Sequence, residues 1–266
     1  MTAGRVTGGL HHVEHVMGMA VSIDVRDPEC PVEAIVEVVE WLHDVDSTFS
    51  PYLADSPISA IGRGELAIRD ADAQIREVLS LCETVRELSY GVFDVFRVPA
   101  PNSTMFDPSG LVKGWSIERS AHILERHGAR RFIINAGGDI VVRGRPDSTA
   151  PWRIGIRHPR DPEALALVVH GIGPLAVATS ATYERGDHIV NPVTGRSPHE
   201  LLSATVVGPD LTMTDAFATV VFAMGLGGLD WIEEQAGYDA YLITADELTY
   251  RTAGFTRYLQ ASTSLG

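Results

Sequence analysis

The sequence RFIINAGGDIVVRG at residues 131–144 places two adjacent glycines between two short apolar runs. Short apolar runs bounded by turn residues are typical of strands. Because glycine adopts positive φ at little cost, Gly137 and Gly138 predict a tight hairpin between these two strands. A functional interpretation stays open beside it, in which the same glycines let the backbone approach a ligand.

The rest of the chain extends this pattern into one α/β domain. Five further β-type runs follow, namely WRIGIRHP, ALALVVH, PLAVATS, HIVNP and SATVVG, and residues 16–27 alternate like a half-buried strand. Helical spacing of apolar residues predicts longer helices over residues 31–42, 75–88, 113–127 and 214–224. The sequence therefore predicts a single domain over residues 1–266, of α+β type, with mixed, mostly antiparallel sheets flanked by helices.

The composition is that of a folded, acidic protein. The 266 residues include 21 Lys and Arg against 35 Asp and Glu, a formal charge of −14, and 45% of them are hydrophobic. Nucleic acids and anionic membranes require a basic face, so this balance predicts neither as a partner. The uncharged run 216–229 is shorter than the ~18 residues of a membrane span, and residues 1–10 carry no apolar signal core. These features predict a cytoplasmic protein without a membrane span.

Two motifs resemble known sites that require a helix, but each adjoins a predicted strand. HHVEH at residues 11–15 has the residue order of inverted zinc peptidases, which need both histidines on one helix face, whereas this segment runs into a strand pattern. GIGPLA at residues 171–176 resembles a dinucleotide fingerprint, which needs a following helix, but a strand pattern follows. We therefore interpret the first as a solvent-exposed or strand-leading histidine cluster and the second as strand–turn–strand.

Three other features could bind or act on a charged ligand. In DPSGLVKG, residues 107–114, an acid and a lysine stand just before a predicted helix, whose N-terminus favours anions; an ordinary loop-to-helix junction is the alternative. Asp215 and Thr219 share a helix face and could offer two hard oxygens to Mg²⁺, although Thr214 or Asp215 could instead cap the helix. His188 is either structural or suited to proton transfer near neutral pH.

Taken in order along the chain, these and other short motifs resemble the FAD:protein FMN transferases, the ApbE flavin-transferase family. The resemblance covers nearly the whole chain and rests on the common order and spacing of its motifs. They are Met17-Gly18, Phe49-Ser50-Pro51-Tyr52 with Asp55-Ser56, Gly91-Val92-Phe93-Asp94, Asp107 through Lys113-Gly114, Gly137-Gly138-Asp139, Trp152-Arg153-Ile154, Thr179-Ser180, HIVNPVTG at 188–195, and Asp215 to Thr219.

The resemblance implies an activity and a set of site residues. Such enzymes use Mg²⁺ to cleave FAD, attach FMN through its phosphate to a Thr or Ser hydroxyl of an acceptor flavoprotein, and release AMP. By position, the implied metal ligands are Asp215, Thr219 and the carbonyl of Gly110, and the implied proton-transfer residue is His188. The implied FAD-binding positions are Met17, Tyr52, Gly91, Val92, Phe93, Asp107, Lys113, Thr179, Ser180 and Val190.

The sequence departs from the family pattern at several of these motifs. Met19 stands where threonine is usual, and Val95-Phe96 replaces Pro-Thr. Ala181-Thr182 stands where glycine is followed by an acid or Asn, and Asn191 replaces an aspartate. Two alternatives therefore stand beside transfer: an FAD pyrophosphatase that hydrolyses FAD to FMN and AMP, and a catalytically silent FAD-binding protein.

Overall fold

The structure of the protein is a computed structural model that describes residues 4–6, 8–97, 105–181 and 200–259. His188 and Val190, two of the predicted site residues, lie outside the described residues, as do Thr182 and Asn191.

A nine-stranded sheet organises the fold, and each neighbouring pair of its strands is antiparallel. In chain order the strands are β1 (Gly4–Val6), β2 (Gly9–Val16), β3 (Met19–Val25), β4 (Phe132–Ala136), β5 (Asp139–Arg143), β6 (Trp152–His158), β7 (Asp161–Gly171), β8 (Leu175–Ala181), β9 (Leu201–Gly208), β10 (Asp239–Thr244) and β11 (Thr249–Arg251). The sheet order is β1-β2-β3-β4-β5-β8-β9-β10-β11, and β6 and β7 form a separate hairpin. The predicted α+β class with mostly antiparallel sheets is confirmed.

Six α-helices accompany the strands within the described residues. They are α1 (Val32–Phe49), α2 (Pro57–Gly62), α3 (Ala73–Leu88), α4 (Ser109–Arg126), α5 (Leu211–Met224) and α6 (Gly228–Glu233). The sheet separates two buried clusters: Val141 of β5 packs with the helices, whereas Ile140 and Val142 pack with Trp152 and the β6–β7 hairpin. This division follows from the alternation of side chains along a strand. This alternation determines which side chains of β5 can contact the helices.

The turn predictions are confirmed. Gly137 and Gly138 have φ of 61° and 107° and join β4 to β5 as a two-residue hairpin. Residues 172–174 form the turn between β7 and β8, so the glycines there belong to strand–turn–strand. The segment HHVEH lies inside β2, so it forms a strand of its own and does not merely lead one, and it is not the helix that the zinc motif requires.

Two helices begin about one turn earlier than the sequence predicts. The carboxylate of Asp107 accepts hydrogen bonds from the N–H and the hydroxyl of Ser109, and α4 starts there, so Lys113 lies in its second turn. Asp210 caps α5 by accepting a hydrogen bond from the N–H of Met213 at 3.0 Å. The alternative that Thr214 or Asp215 caps this helix is therefore wrong, because both lie inside it.

One described segment, Leu211–Glu233, is long and apolar enough by length and composition to cross a membrane. In the structure it is α5, a 3₁₀ turn and α6, and 67% of its most apolar window is buried inside the fold. Core helices of globular proteins have the same character, so this is weak evidence for a span. The absence of a membrane span stays a prediction.

Candidate functional site

The site is built where α4 and α5 cross. A Cβ atom on Gly114 would lie 2.4 Å from the carbonyl oxygen of Leu211 and 2.8 Å from Cβ of Asp215, so only glycine permits this approach. The N–H of Gly114 donates to Oδ2 of Asp215 at 3.0 Å. A close helix crossing thus fixes the Asp215 carboxylate against the backbone of α4.

A second carboxylate lies beside the first, and the two share one ammonium group. Nζ of Lys113 lies 3.4 Å from Oδ1 of Asp215 and forms an ion pair with Oδ2 of Asp139. Asp139 is 2% exposed and Asp215 is 4% exposed. Burial raises the pKa of Asp215 to about 7; the Lys113 ammonium opposes this effect and the Asp139 charge adds to it. When all three groups are ionised they carry one net negative charge, which favours an additional cation.

Hydroxyl groups complete this cluster. Thr219 lies one turn after Asp215 on α5, and its Oγ1 is 3.4 Å from Oγ of Ser180 on β8. Thr179 contributes its backbone instead, because its N–H donates to Oδ1 of Asp139 at 3.1 Å. Its own hydroxyl is hydrogen-bonded at 2.8 Å to the hydroxyl of Thr205, its cross-strand partner.

The predicted metal ligands suit Mg²⁺ in chemical type. Asp215 supplies a carboxylate and Thr219 a hydroxyl. The third predicted ligand is the carbonyl of Gly110, which in a regular α-helix accepts the N–H of Gly114, the same N–H that donates to Asp215. Within residues 4–6, 8–97, 105–181 and 200–259, no three His, Cys, Asp or Glu side chains are grouped as a metal site. Mg²⁺ is commonly held by one or two carboxylates together with waters and substrate phosphates. A set of one carboxylate with neutral oxygens therefore fits this ion.

Two apolar side chains flank the first turns of α4. Met17 lies in the β2–β3 turn with φ of 53°, and its sulfur is 4.0 Å from the hydroxyl of Ser116 on α4. Phe93 is buried, and its ring edge lies 3.3 Å from where a Cβ on Gly110 would stand. Gly91 has φ of 82°, which allows the turn that precedes Phe93.

The remaining predicted residues have other surroundings in the structure. Asp107 is half-buried and lies just before α4, where it accepts the N–H of Ser109, the first residue of the helix. Tyr52 is 76% exposed in the turn after α1, and Val92 is half-buried against the main core. The structure therefore brings Lys113, Ser180, Asp215 and Thr219 into contact with one another or with Asp139, and it does not place Tyr52 or Val92 in that cluster.

Asp139 is the residue that sequence reasoning did not assign to the site. Its signal was present: it ends the motif NAGGD and opens a strand whose five residues are all buried. A carboxylate that begins a fully buried strand needs a charged or hydrogen-bonding partner. The identity of that partner, Lys113 on α4, depends on the tertiary structure.

Comparison with known proteins finds relatives that share one name. The FAD:protein FMN transferase of Escherichia coli strain K12 is 28% identical over 155 residues, which span 55% of this chain but only 44% of that protein. The enzyme of the same name from Haemophilus influenzae is 22% identical over 91% of this chain and 85% of its own length.

Solved structures show the same fold. The flavin transferase ApbE from Vibrio cholerae superposes with a TM-score of 0.82 and 22% identity, over 94% of this chain and 99% of that one. The ApbE protein from Thermotoga maritima gives a TM-score of 0.83 and 20% identity, over 95% and 100%. Residues 97–242, more than half of the sequence, match the ApbE family, and the chain belongs to that family.

Proposed function

We propose that this protein transfers FMN from FAD to a Thr or Ser hydroxyl of an acceptor flavoprotein, with Mg²⁺ as cofactor and AMP as the released product. Family membership and the names of the relatives support the flavin and the transfer. The observation that carries the proposal is the cluster of two buried carboxylates, one ammonium and two hydroxyls at the crossing of α4 and α5.

Different residues of the cluster would hold the ion and the pyrophosphate. Asp215, Thr219 and the Gly110 carbonyl would hold Mg²⁺, which when bound offsets the charge that builds up on phosphoryl oxygens and on the leaving group. Lys113 would place a positive charge beside the same phosphates. Phosphoryl transfer depends chiefly on such positioning and electrostatic stabilisation.

The surrounding residues would orient FAD and the acceptor. Met17 and Phe93 offer apolar surface to a flavin or adenine plane beside the polar cluster. We assign His188 the task of accepting the proton of the acceptor hydroxyl, on the strength of its sequence position alone. A base within hydrogen-bond reach contributes roughly 10²–10⁴-fold to such a step.

The test combines the purified protein with FAD, Mg²⁺ and a candidate acceptor, followed by mass spectrometry of the acceptor and chromatography of the nucleotides. We expect a mass gain equal to one FMN and an equal amount of AMP. Asp215→Asn should abolish both, whereas Asp239→Asn, which alters an equally buried aspartate at the start of β10, should not.

Other outcomes identify the alternatives. AMP and free FMN in the absence of an acceptor would identify a pyrophosphatase. FAD that stays bound and intact with Mg²⁺ and acceptor would identify a silent binder and refute the transfer. Cytoplasmic location also stays a prediction, to be tested by cell fractionation.

A further inference from the structure

Asp139 is the least exposed charged group of the site, and both of its oxygens have defined surroundings. It opens β5 directly after the Gly137-Gly138 turn. Oδ1 accepts the N–H of Thr179, which ties it to β8. Among the described residues, Oδ2 has no hydrogen bond of regular geometry, and the ion pair with Lys113 is the contact that offsets its charge.

The two carboxylates around Lys113 differ in what else they face. Asp215 lies one helical turn before Thr219, its predicted co-ligand, whose hydroxyl donates to the Asp215 backbone carbonyl, and its Oδ2 accepts the N–H of Gly114 on α4. Asp139 likewise has one oxygen bonded to a backbone N–H, that of Thr179 on β8, and its other oxygen pairs with Lys113, but it lies on a strand and not on the helix that carries Thr219. A divalent cation on Asp215 would repel the ammonium from that side and leave it with Asp139.

We infer that Asp139 is a positioning residue that holds the Lys113 ammonium beside the metal ligands, so that it faces the phosphates of the substrate. This inference rests on the proposed function, since it takes FAD as the ligand. Without Asp139, the ammonium would lose this ion pair, keep the one with Asp215 and compete there with the metal. The role of Asp139 is thus exerted through Lys113.

Binding measurements on single and double variants test this inference without using activity. Isothermal titration with Mg²⁺ alone, and with FAD in the presence of Mg²⁺, would be made on the wild type, Asp139→Asn, Lys113→Gln and the double variant. We expect Asp139→Asn to weaken FAD binding roughly tenfold, within the range of couplings in one ion-pair network. In the Lys113→Gln background the same substitution should add almost nothing, because the group it positions is already gone.

The Mg²⁺ titration gives an independent order of affinities. Lys113→Gln should bind Mg²⁺ more tightly than the wild type and Asp139→Asn more weakly. The double variant, which has the same net charge at the site as the wild type, should return close to it. A purely structural role of Asp139 would not be rescued by removing Lys113.

Asp239→Asn is the matched control. Asp239 also opens a buried strand, is 5% exposed, and pairs with one cation, Arg257, and one hydroxyl, that of Thr252. Its substitution should leave both affinities unchanged. If Asp139→Asn does not fold, Asp139→Glu replaces it, since it keeps the charge but displaces the ammonium.

Two results would overturn the inference while leaving the proposed function intact. One is wild-type FAD affinity in a folded Asp139 variant. The other is full additivity of the Asp139 and Lys113 substitutions in FAD affinity, which would mean that they act separately on FAD. A wild-type protein that binds no FAD would instead refute the proposed function itself.

Discussion

Gly114→Ala should separate the two helices that carry the candidate site. The new Cβ would lie 2.4 Å from the Leu211 carbonyl oxygen, whereas ordinary contacts are 3.4–4 Å, so α4 and α5 must move apart by about 1 Å. Neither obstacle can rotate away, because one is a backbone atom and the other is Cβ of Asp215. The same movement stretches the hydrogen bond from Gly114 to Asp215.

The magnitude follows from three opposing effects. Overpacking a closely packed contact costs about 1–3 kcal/mol. Weakening a hydrogen bond to a charged group costs about 1.5–3 kcal/mol if the bond is lost. The better helix propensity of alanine returns about 1 kcal/mol. We therefore expect a loss of about 2–5 kcal/mol in the free energy of unfolding, and a melting temperature lower by roughly 5–15 °C.

Denaturant unfolding followed by circular dichroism measures this loss, and Gly227→Ala provides the control. Gly227 has φ of −62° and ψ of −17°, and nothing lies within 4 Å of a Cβ placed there. Its replacement should be neutral or stabilising by up to about 1 kcal/mol. If Gly114→Ala were as stable as Gly227→Ala to within about 0.5 kcal/mol, the helices would not be in the contact described, and the reasoning would fail.

Three further predictions concern elements around the site. Asp210→Ala removes the N-cap of α5 and should cost about 1–2 kcal/mol in urea unfolding; an unchanged midpoint would show that the cap is dispensable. Glu118→Ala leaves buried Arg143 without its buried partner and should cost about 3–5 kcal/mol in the same assay, whereas a loss below about 1 kcal/mol would contradict the ion pair. Burial pushes the pKa of Asp27 up, but two backbone N–H groups and the Arg131 guanidinium outweigh it and hold the pKa below 3.8. The stability that ionised Asp27 contributes is therefore present above pH 3.8 and lost as the pH falls through the lower, folded pKa. Asp27→Asn should make the free energy of unfolding depend less on pH in this acid range. Parallel pH curves for the variant and the wild type would refute this.

Local features were predictable where a residue type has one dominant conformational use. The two glycines at 137 and 138 predicted the hairpin because few other residues accept positive φ in succession. The start of α4 was placed too late because DPSG has the composition of a loop. The structure shows that Asp107 instead supplies the side-chain acceptor from which the helix begins.

The site was predictable in part and for a different reason. Asp215 and Thr219 lie four residues apart, so helical periodicity alone put them on one face. Asp139 could not be added to them from sequence, because its contact with Lys113 joins a strand and a helix 26 positions apart, through a tertiary arrangement that no local pattern encodes. The correct cap of α5, Asp210, was missed because Thr214 and Asp215 are also good capping residues.

The length of the Gly137-Gly138 turn determines which side chains of β5 reach the helices. Asp139 and Val141 face α4 and α5, and Ile140 and Val142 face the β6–β7 hairpin. One residue inserted into the turn, with the pairing of β4 and β5 otherwise extended by one position, would exchange these two sets. Ile140 would then lie on the face toward α4 and α5, Lys113 would lose its ion pair with Asp139, and a carboxylate would be buried among the aromatic and aliphatic side chains of the opposite core. The length of this turn therefore determines which face of the sheet carries the carboxylate. Its tolerance to insertion is set by electrostatics on one face and by hydrophobic packing on the other.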